Sequence, residues 1–85
     1  MAMYRIESDY LQFPIIMETE SHDEAFEMFV AYCDYNGIDE DEIEAKHDDD
    51  GVYFATAKQE DDEGNVASFT FDRVKKVTID LNDLK

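Results

Sequence analysis

The chain has 85 residues, which is enough for one small domain and too few for two independent hydrophobic cores. Its 23 acidic and 7 basic residues give a formal net charge of −16. Direct binding to nucleic acid or to an anionic membrane surface needs clustered lysine and arginine, so this balance excludes both functions. The composition therefore predicts one acidic domain, residues 1–85, with basic partners.

The N-terminal sequence and the cysteine content indicate the compartment. The first residues contain neither a basic region nor an apolar run of the signal-peptide type. The longest uncharged apolar stretch, residues 13–17, is too short to span a bilayer, and the single cysteine, Cys33, cannot form an internal disulfide. These features predict a cytoplasmic protein.

The first predicted elements along the chain are two strands, at residues 4–6 and 13–19. In the first strand the residues alternate in polarity, with Ile6 directed inward. The second strand contains Pro14, which has no N–H to donate to a neighbouring strand. The second strand is therefore predicted at an edge of the sheet.

The clearest predicted element is a helix at residues 21–36. Ser21 and Glu24 fit a capping box, in which each side chain bonds a backbone N–H at the start of the helix. Gly37 can close the helix in the left-handed conformation, and Ile38 can then pack on the last turn. The helical spacing predicts an apolar stripe directed into the core, formed by Ala25, Phe26, Phe29, Val30, Tyr32 and Cys33.

Four more strands are predicted after the helix. Acidic, glycine-containing segments at 48–51 and 61–65 separate the first three strands and are typical of hairpin turns. A helix across an antiparallel sheet buries both the helical stripe and one sheet face. The predicted fold class is therefore α+β, with a single helix on an antiparallel sheet of about four to six strands and a C-terminal meander. The four strands are residues 43–47, 52–59, 66–73 and 76–81.

Twelve of the 23 acidic residues fall into three short runs, at residues 39–44, 48–50 and 60–63. Successive turns of a meander lie at opposite ends of the sheet, so the first and third runs should share one end. The middle run should lie at the other end, beside the basic segment 73–76 that partly neutralises it. The sequence thus predicts one strongly acidic end of the sheet.

A second acidic strip follows the solvent side of the helix, and Tyr35 is a candidate interface residue because tyrosine is enriched at binding hot spots. This strip and the two runs at one end of the sheet form the predicted partner-binding surface. Its residues are Asp23, Glu27, Asp34, Tyr35, Asp39, Glu40, Asp41, Glu42, Glu44, Glu60, Asp61, Asp62 and Glu63.

The density of negative charge exceeds what solubility requires, which is a net charge of about 2–8 for a small domain. A folded chain of this size exposes roughly 5,200 Å², or roughly 225 Å² for each acidic residue. Duplex DNA carries one charge per roughly 107 Å² of its surface. Acidic residues confined to about half of the protein surface would match that density.

In size, charge and clustering the chain resembles the small acidic phage proteins that act as DNA mimics, including anti-restriction and some anti-CRISPR proteins. Those proteins share no common fold or motif, so the resemblance assigns no residue. It implies a non-enzymatic inhibitor acting in the host bacterial cytoplasm. Separately, the predicted edge strands and aromatic surface permit either a monomer or a homodimer. The implied partner is the basic DNA- or RNA-binding surface of a nuclease or CRISPR-type effector, whose cationic side chains the carboxylates would pair with.

Two other interpretations remain open. An immunity or antitoxin-like protein would neutralise a basic partner at an exosite, with the same electrostatics and no imitation of a duplex. A domain from a halophile would carry acidic residues to hold water, although five lysines and many aromatic residues fit this interpretation poorly. If this protein and an oligonucleotide exclude each other from the target, mimicry is supported, whereas simultaneous binding supports the exosite inhibitor. Folding at low salt would exclude the halophile interpretation.

Catalytic and metal-binding patterns are weak. Neither Gly51 nor Gly64 can occupy the sixth position of an EF-hand loop with an acidic residue at the first position. The two histidines and Cys33 match no zinc spacing, and no glycine-rich phosphate loop occurs. The sequence predicts no cofactor, no specific metal site and no enzymatic activity.

Overall fold

The computed structural model of the protein describes residues 2–74. It has one helix packed on a five-stranded antiparallel sheet, which confirms the predicted α+β class. The predicted strand at 76–81 and the basic residues at 75 and 76 lie outside the described residues. In chain order the elements are β1 (Ala2–Ser8), β2 (Ile15–Thr19), α1 (His22–Tyr35), a 3₁₀ turn η1 (Glu40–Glu42), β3 (Glu44–Asp48), β4 (Gly51–Glu60) and β5 (Val66–Val74).

The strand order is β2-β1-β5-β4-β3, and every neighbouring pair is antiparallel. The last three strands form the predicted meander, and β1 completes the sheet by pairing with β5. The first strand is longer than predicted, since it extends from Ala2 to Ser8. The second begins at Ile15, after Pro14, and lies at an edge as predicted.

The core lies between α1 and the sheet and is centred on Phe71. The ring of Phe71 stacks on Tyr4 at 5.4 Å between centroids, and it contacts the rings of Phe29 at 5.6 Å and Phe26 at 5.8 Å. Phe71, Phe29 and Tyr4 are fully buried, as is Cys33. Aromatic pairs at these distances stabilise a core by about 0.5–1.5 kcal/mol each beyond the area they bury.

Both ends of α1 have identifiable caps. The Ser21 hydroxyl accepts the Glu24 N–H at 3.2 Å, as predicted. The return bond from Glu24 is absent in this part of the structure, because the Ser21 N–H instead donates to the Thr19 hydroxyl at 3.0 Å. At the other end Gly37 has φ +82°, and its N–H donates to the Asp34 carbonyl in a Schellman motif.

The predicted apolar stripe is correct except at Val30. This residue is half-buried and lies outside the core cluster, whereas Phe26 and Tyr32 pack against it. The helix lies over β1, β2, β4 and β5, and every residue of β3 is exposed. Val30 therefore lies on a flank of the helix that no strand of the described sheet covers closely.

We expect Phe71→Ala to destabilise the fold by about 3–5 kcal/mol, because it removes the ring that joins the helix to three strands. Phe13→Ala is the matched control: Phe13 is 74% exposed, so we expect a loss below about 0.5 kcal/mol. Urea denaturation followed by circular dichroism measures both. Similar losses for the two variants would contradict this assignment of the core.

Candidate partner-binding surface

The solvent side of α1 carries the predicted acidic strip. Asp23, Glu27 and Asp34 are exposed, and their spacings of four and seven residues place them on one flank of the helix. No lysine or arginine occurs in α1. More broadly, residues 6–45 contain 13 acidic residues and no lysine or arginine. The helix therefore exposes negative charge with no cation of its own to balance it.

The acidic run after the helix folds into a short turn. Ile38 is buried and holds the chain against the core, and the following residues form η1. The backbone N–H of Asp39 donates to Glu42 Oε2 at 3.3 Å, which stabilises this turn. Asp39, Glu40 and Asp41 are exposed. Sequence periodicity could not reveal η1, because its three residues are too few to show a pattern.

A groove of about 430 Å³ lies between α1 and η1. It brings together two acidic segments that are separate in the sequence, the helical strip and the run that begins at Asp39. Its lining combines apolar and acidic side chains. Its lining residues are Phe26, Glu27, Val30, Ala31, Asp34 and Glu40.

The end of α1 and the β4–β5 turn lie at the same end of the sheet, as predicted. Gln59 connects them: its side-chain N–H donates to the Asn36 carbonyl, and its Oε1 accepts the Tyr10 hydroxyl at 2.6 Å. The acidic run after the helix and the acidic turn after Glu60 therefore lie close to the same contact, the one between Gln59 and Asn36. We call the exposed side of α1 together with η1 the helical acidic surface.

Two predicted site residues lie on the other face of the sheet. Glu44 is paired with Thr56, and Glu60 is paired with Val66. Their strand neighbours Ala45, Ala55 and Ala67 lie on the helix side, so Glu44 and Glu60 lie on the opposite side, where they share a face with lysines. The structure does not group them with the helical acidic surface.

Asp61 has a structural role within the β4–β5 turn. Its Oδ1 accepts the backbone N–H groups of Glu63 and Asn65, each at 2.9 Å, and its Oδ2 accepts the Asn65 side chain at 3.2 Å. These bonds, chiefly the one from the Asn65 backbone, lower the pKa of Asp61. Asp62 and Glu63 are the other exposed acids of this turn.

The four cations among residues 2–74 form no ion pair with the helical acidic surface. Arg5, Lys46 and Lys58 lie on the sheet face opposite α1, as the strand register shows. Arg5 makes a bidentate pair with Asp72, at 3.1 and 2.8 Å. This face is therefore mixed in charge.

Arg73 partly neutralises the acidic turn between β3 and β4, as predicted. Its Nη2 pairs with Asp48, and its Nη1 lies 3.9 Å from Asp50 Oδ2. The pKa of Asp48 is lowered, chiefly by the Asp50 N–H and further by Arg73. In the described part of the chain, the acids in ion pairs are Glu7, Asp48, Asp50 and Asp72, and none of them belongs to the predicted site.

Two large apolar side chains lie exposed on the same helix. Tyr35, a predicted interface residue, is 87% exposed, and Met28 is 58% exposed. They are seven residues apart and so share one side of α1. The sequence pattern of the core stripe does not include Met28, although the seven-residue spacing between Met28 and Tyr35 is a detectable signal of a shared exposed side. Exposed aromatic and methionine side chains within a polar rim are typical of protein interfaces.

Within residues 2–74, no three His, Cys, Asp or Glu side chains are grouped closely enough to hold a metal ion. Cys33 is fully buried, and this burial raises its pKa to about 11. A buried thiol with a raised pKa is a poor nucleophile at neutral pH. Cys33 is therefore a core residue, as its position on the apolar stripe predicts.

No family model, curated protein or solved structure matches the chain. Across residues 2–74, none of the helical structure has the length and apolar character needed to cross a membrane.

We expect Asp61→Ala to lower the urea midpoint at pH 7, because three hydrogen bonds in the turn are lost, and Asp62→Ala, its matched control, to leave it unchanged. The folded-state pKa of Asp61 is lowered. Its contribution is therefore complete above the ordinary aspartate pKa of about 3.9 and is lost as the pH falls through the folded-state value. A difference between wild type and Asp61→Ala that grows on acidification would contradict this role.

Proposed function

We propose that the protein is a non-enzymatic inhibitor that occupies the basic nucleic-acid-binding surface of a nuclease or CRISPR-type effector. The observation that carries this proposal is the separation of charge. The helical acidic surface has no ion-paired acid among the described residues. The acids that do form ion pairs lie at the β3–β4 turn or on the sheet face opposite α1. Carboxylates left without cations are available to a partner's arginine and lysine side chains.

Electrostatic competition explains how such a surface would inhibit. A positive groove that holds phosphates attracts any dense array of negative charge, and complementary fields accelerate the encounter. The folded protein would then exclude nucleic acid by occupying the same cations. No covalent step is needed.

A second candidate is an immunity-type protein that binds a basic partner at an exosite. The exposed pair Met28 and Tyr35 favours it, because apolar anchors contribute specificity that a phosphate-like array does not need. Both candidates use the same surface. They differ in whether nucleic acid and this protein can bind the partner together.

Displacement of a labelled duplex from purified basic nucleases and CRISPR effectors, followed by fluorescence anisotropy, tests the proposal. We expect this protein to displace the duplex, with an apparent affinity that decreases as salt increases. The double variant Glu40→Lys with Asp41→Lys should weaken displacement by about tenfold or more, equivalent to about 1.4 kcal/mol.

The matched control is Glu7→Lys with Glu18→Lys. It makes the same change in net charge on the sheet face opposite α1. We expect less than about a twofold effect, because these positions lie outside the proposed contact. Equal effects of the two double variants would contradict a localised surface, and simultaneous binding of duplex and protein would favour the exosite candidate.

A further inference from the structure

We propose that the groove between α1 and η1 is a receptor site for an arginine side chain of the partner protein. This inference deepens the proposed function and rests on it for the identity of the partner. The type of side chain that binds is inferred from the groove itself, which combines an apolar floor with a rim of carboxylates. The two features together match one type of side chain.

The floor of the groove is apolar, and of its residues only Phe26 also packs against the core. Phe26 and Val30 are half-buried, and Ala31 is exposed beside them. The volume of about 430 Å³ leaves room for a long side chain to lie along this floor. Arginine and lysine carry long aliphatic stems that pack on apolar surfaces while their charged heads remain at the rim.

The rim is negative and has no internal cation. Glu27, Asp34 and Glu40 line the groove, and none of them forms an ion pair with another residue in the range 2–74. An acidic peptide or a second copy of this chain would add negative charge to this rim. Charge complementarity therefore selects a cationic occupant.

The geometry favours an organic cation over a metal ion. The carboxylates of residues 27, 34 and 40 do not form a group that could hold a metal, since no such group occurs in the described chain. A guanidinium spreads its charge over a plane with five donors, so it can bond carboxylates on more than one side. It is also less strongly hydrated than an ammonium, so it loses less on entering a partly apolar groove. Arginine is therefore expected to bind better than lysine.

An NMR titration with blocked hexa-arginine and hexa-lysine peptides, without any nuclease present, tests this site. We expect amide shift changes to concentrate in residues 26–34 and at Glu40. Hexa-arginine should bind about fivefold or more tightly than hexa-lysine at equal ionic strength, because only a guanidinium can use both floor and rim.

Two variants separate the contributions of charge and shape. Glu27→Gln with Glu40→Gln should weaken hexa-arginine binding by about fivefold, because it removes two rim charges. Ala31→Leu should also weaken binding, by about threefold, because it fills the groove without changing charge.

The control is Glu18→Gln with Glu20→Gln, which makes the same charge change outside the groove, and we expect it to have less than about a twofold effect. Equal binding of the two peptides, equal effects of the two double variants, or shift changes spread over every acidic segment would overturn the proposal. If the peptide binds the groove but no nuclease is displaced, the proposed function fails and the arginine site stands. If nuclease is displaced and the groove variants change neither measurement, only the arginine site fails.

Discussion

Phe26 and Phe29 of α1 pack against Phe71 at the centre of the sheet, and the rest of the structure depends on this contact. Burial of these rings opposes the mutual repulsion of 23 acidic residues in a small domain. Ala55 and Ala57 on β4 are fully or almost fully buried, and their small side chains leave room for the helix. The packing also fixes which side of α1 faces solvent, and that side is acidic.

The two sides of the molecule differ in the charges they carry. Its open face combines acids with Arg5, Lys46 and Lys58, whereas the helical acidic surface has acids alone among the described residues. A uniformly charged protein would attract any cationic surface in any orientation. This protein instead exposes an acidic helix with the groove on one flank and Met28 and Tyr35 on another, and these add shape and apolar contact to the charge. Shape and apolar contacts of this kind allow an acidic surface to discriminate between basic partners.

Local patterns were sufficient to predict the helix, its Gly37 cap, the Ser21 half of its capping box, the hairpin turns and the α+β class, because each depends largely on residues close in sequence. The placement of Glu44 and Glu60 was harder. Which face a strand residue occupies depends on the pairing register and on which face of the sheet the helix covers, and the acidic runs themselves encode neither. The groove at Val30 was also not predictable, because it forms where the helix leaves β3 uncovered, and coverage is a property of tertiary packing.

Within residues 2–74, the fold holds acids that form no ion pair together on the exposed side of α1 and η1. Paramagnetic relaxation of amide protons by a cationic and an anionic nitroxide measures the local electrostatic potential directly. We expect a markedly more negative potential at α1 and η1 than at the strand residues around Arg5 and Lys46. Equal potentials at these two sets of protons would contradict it.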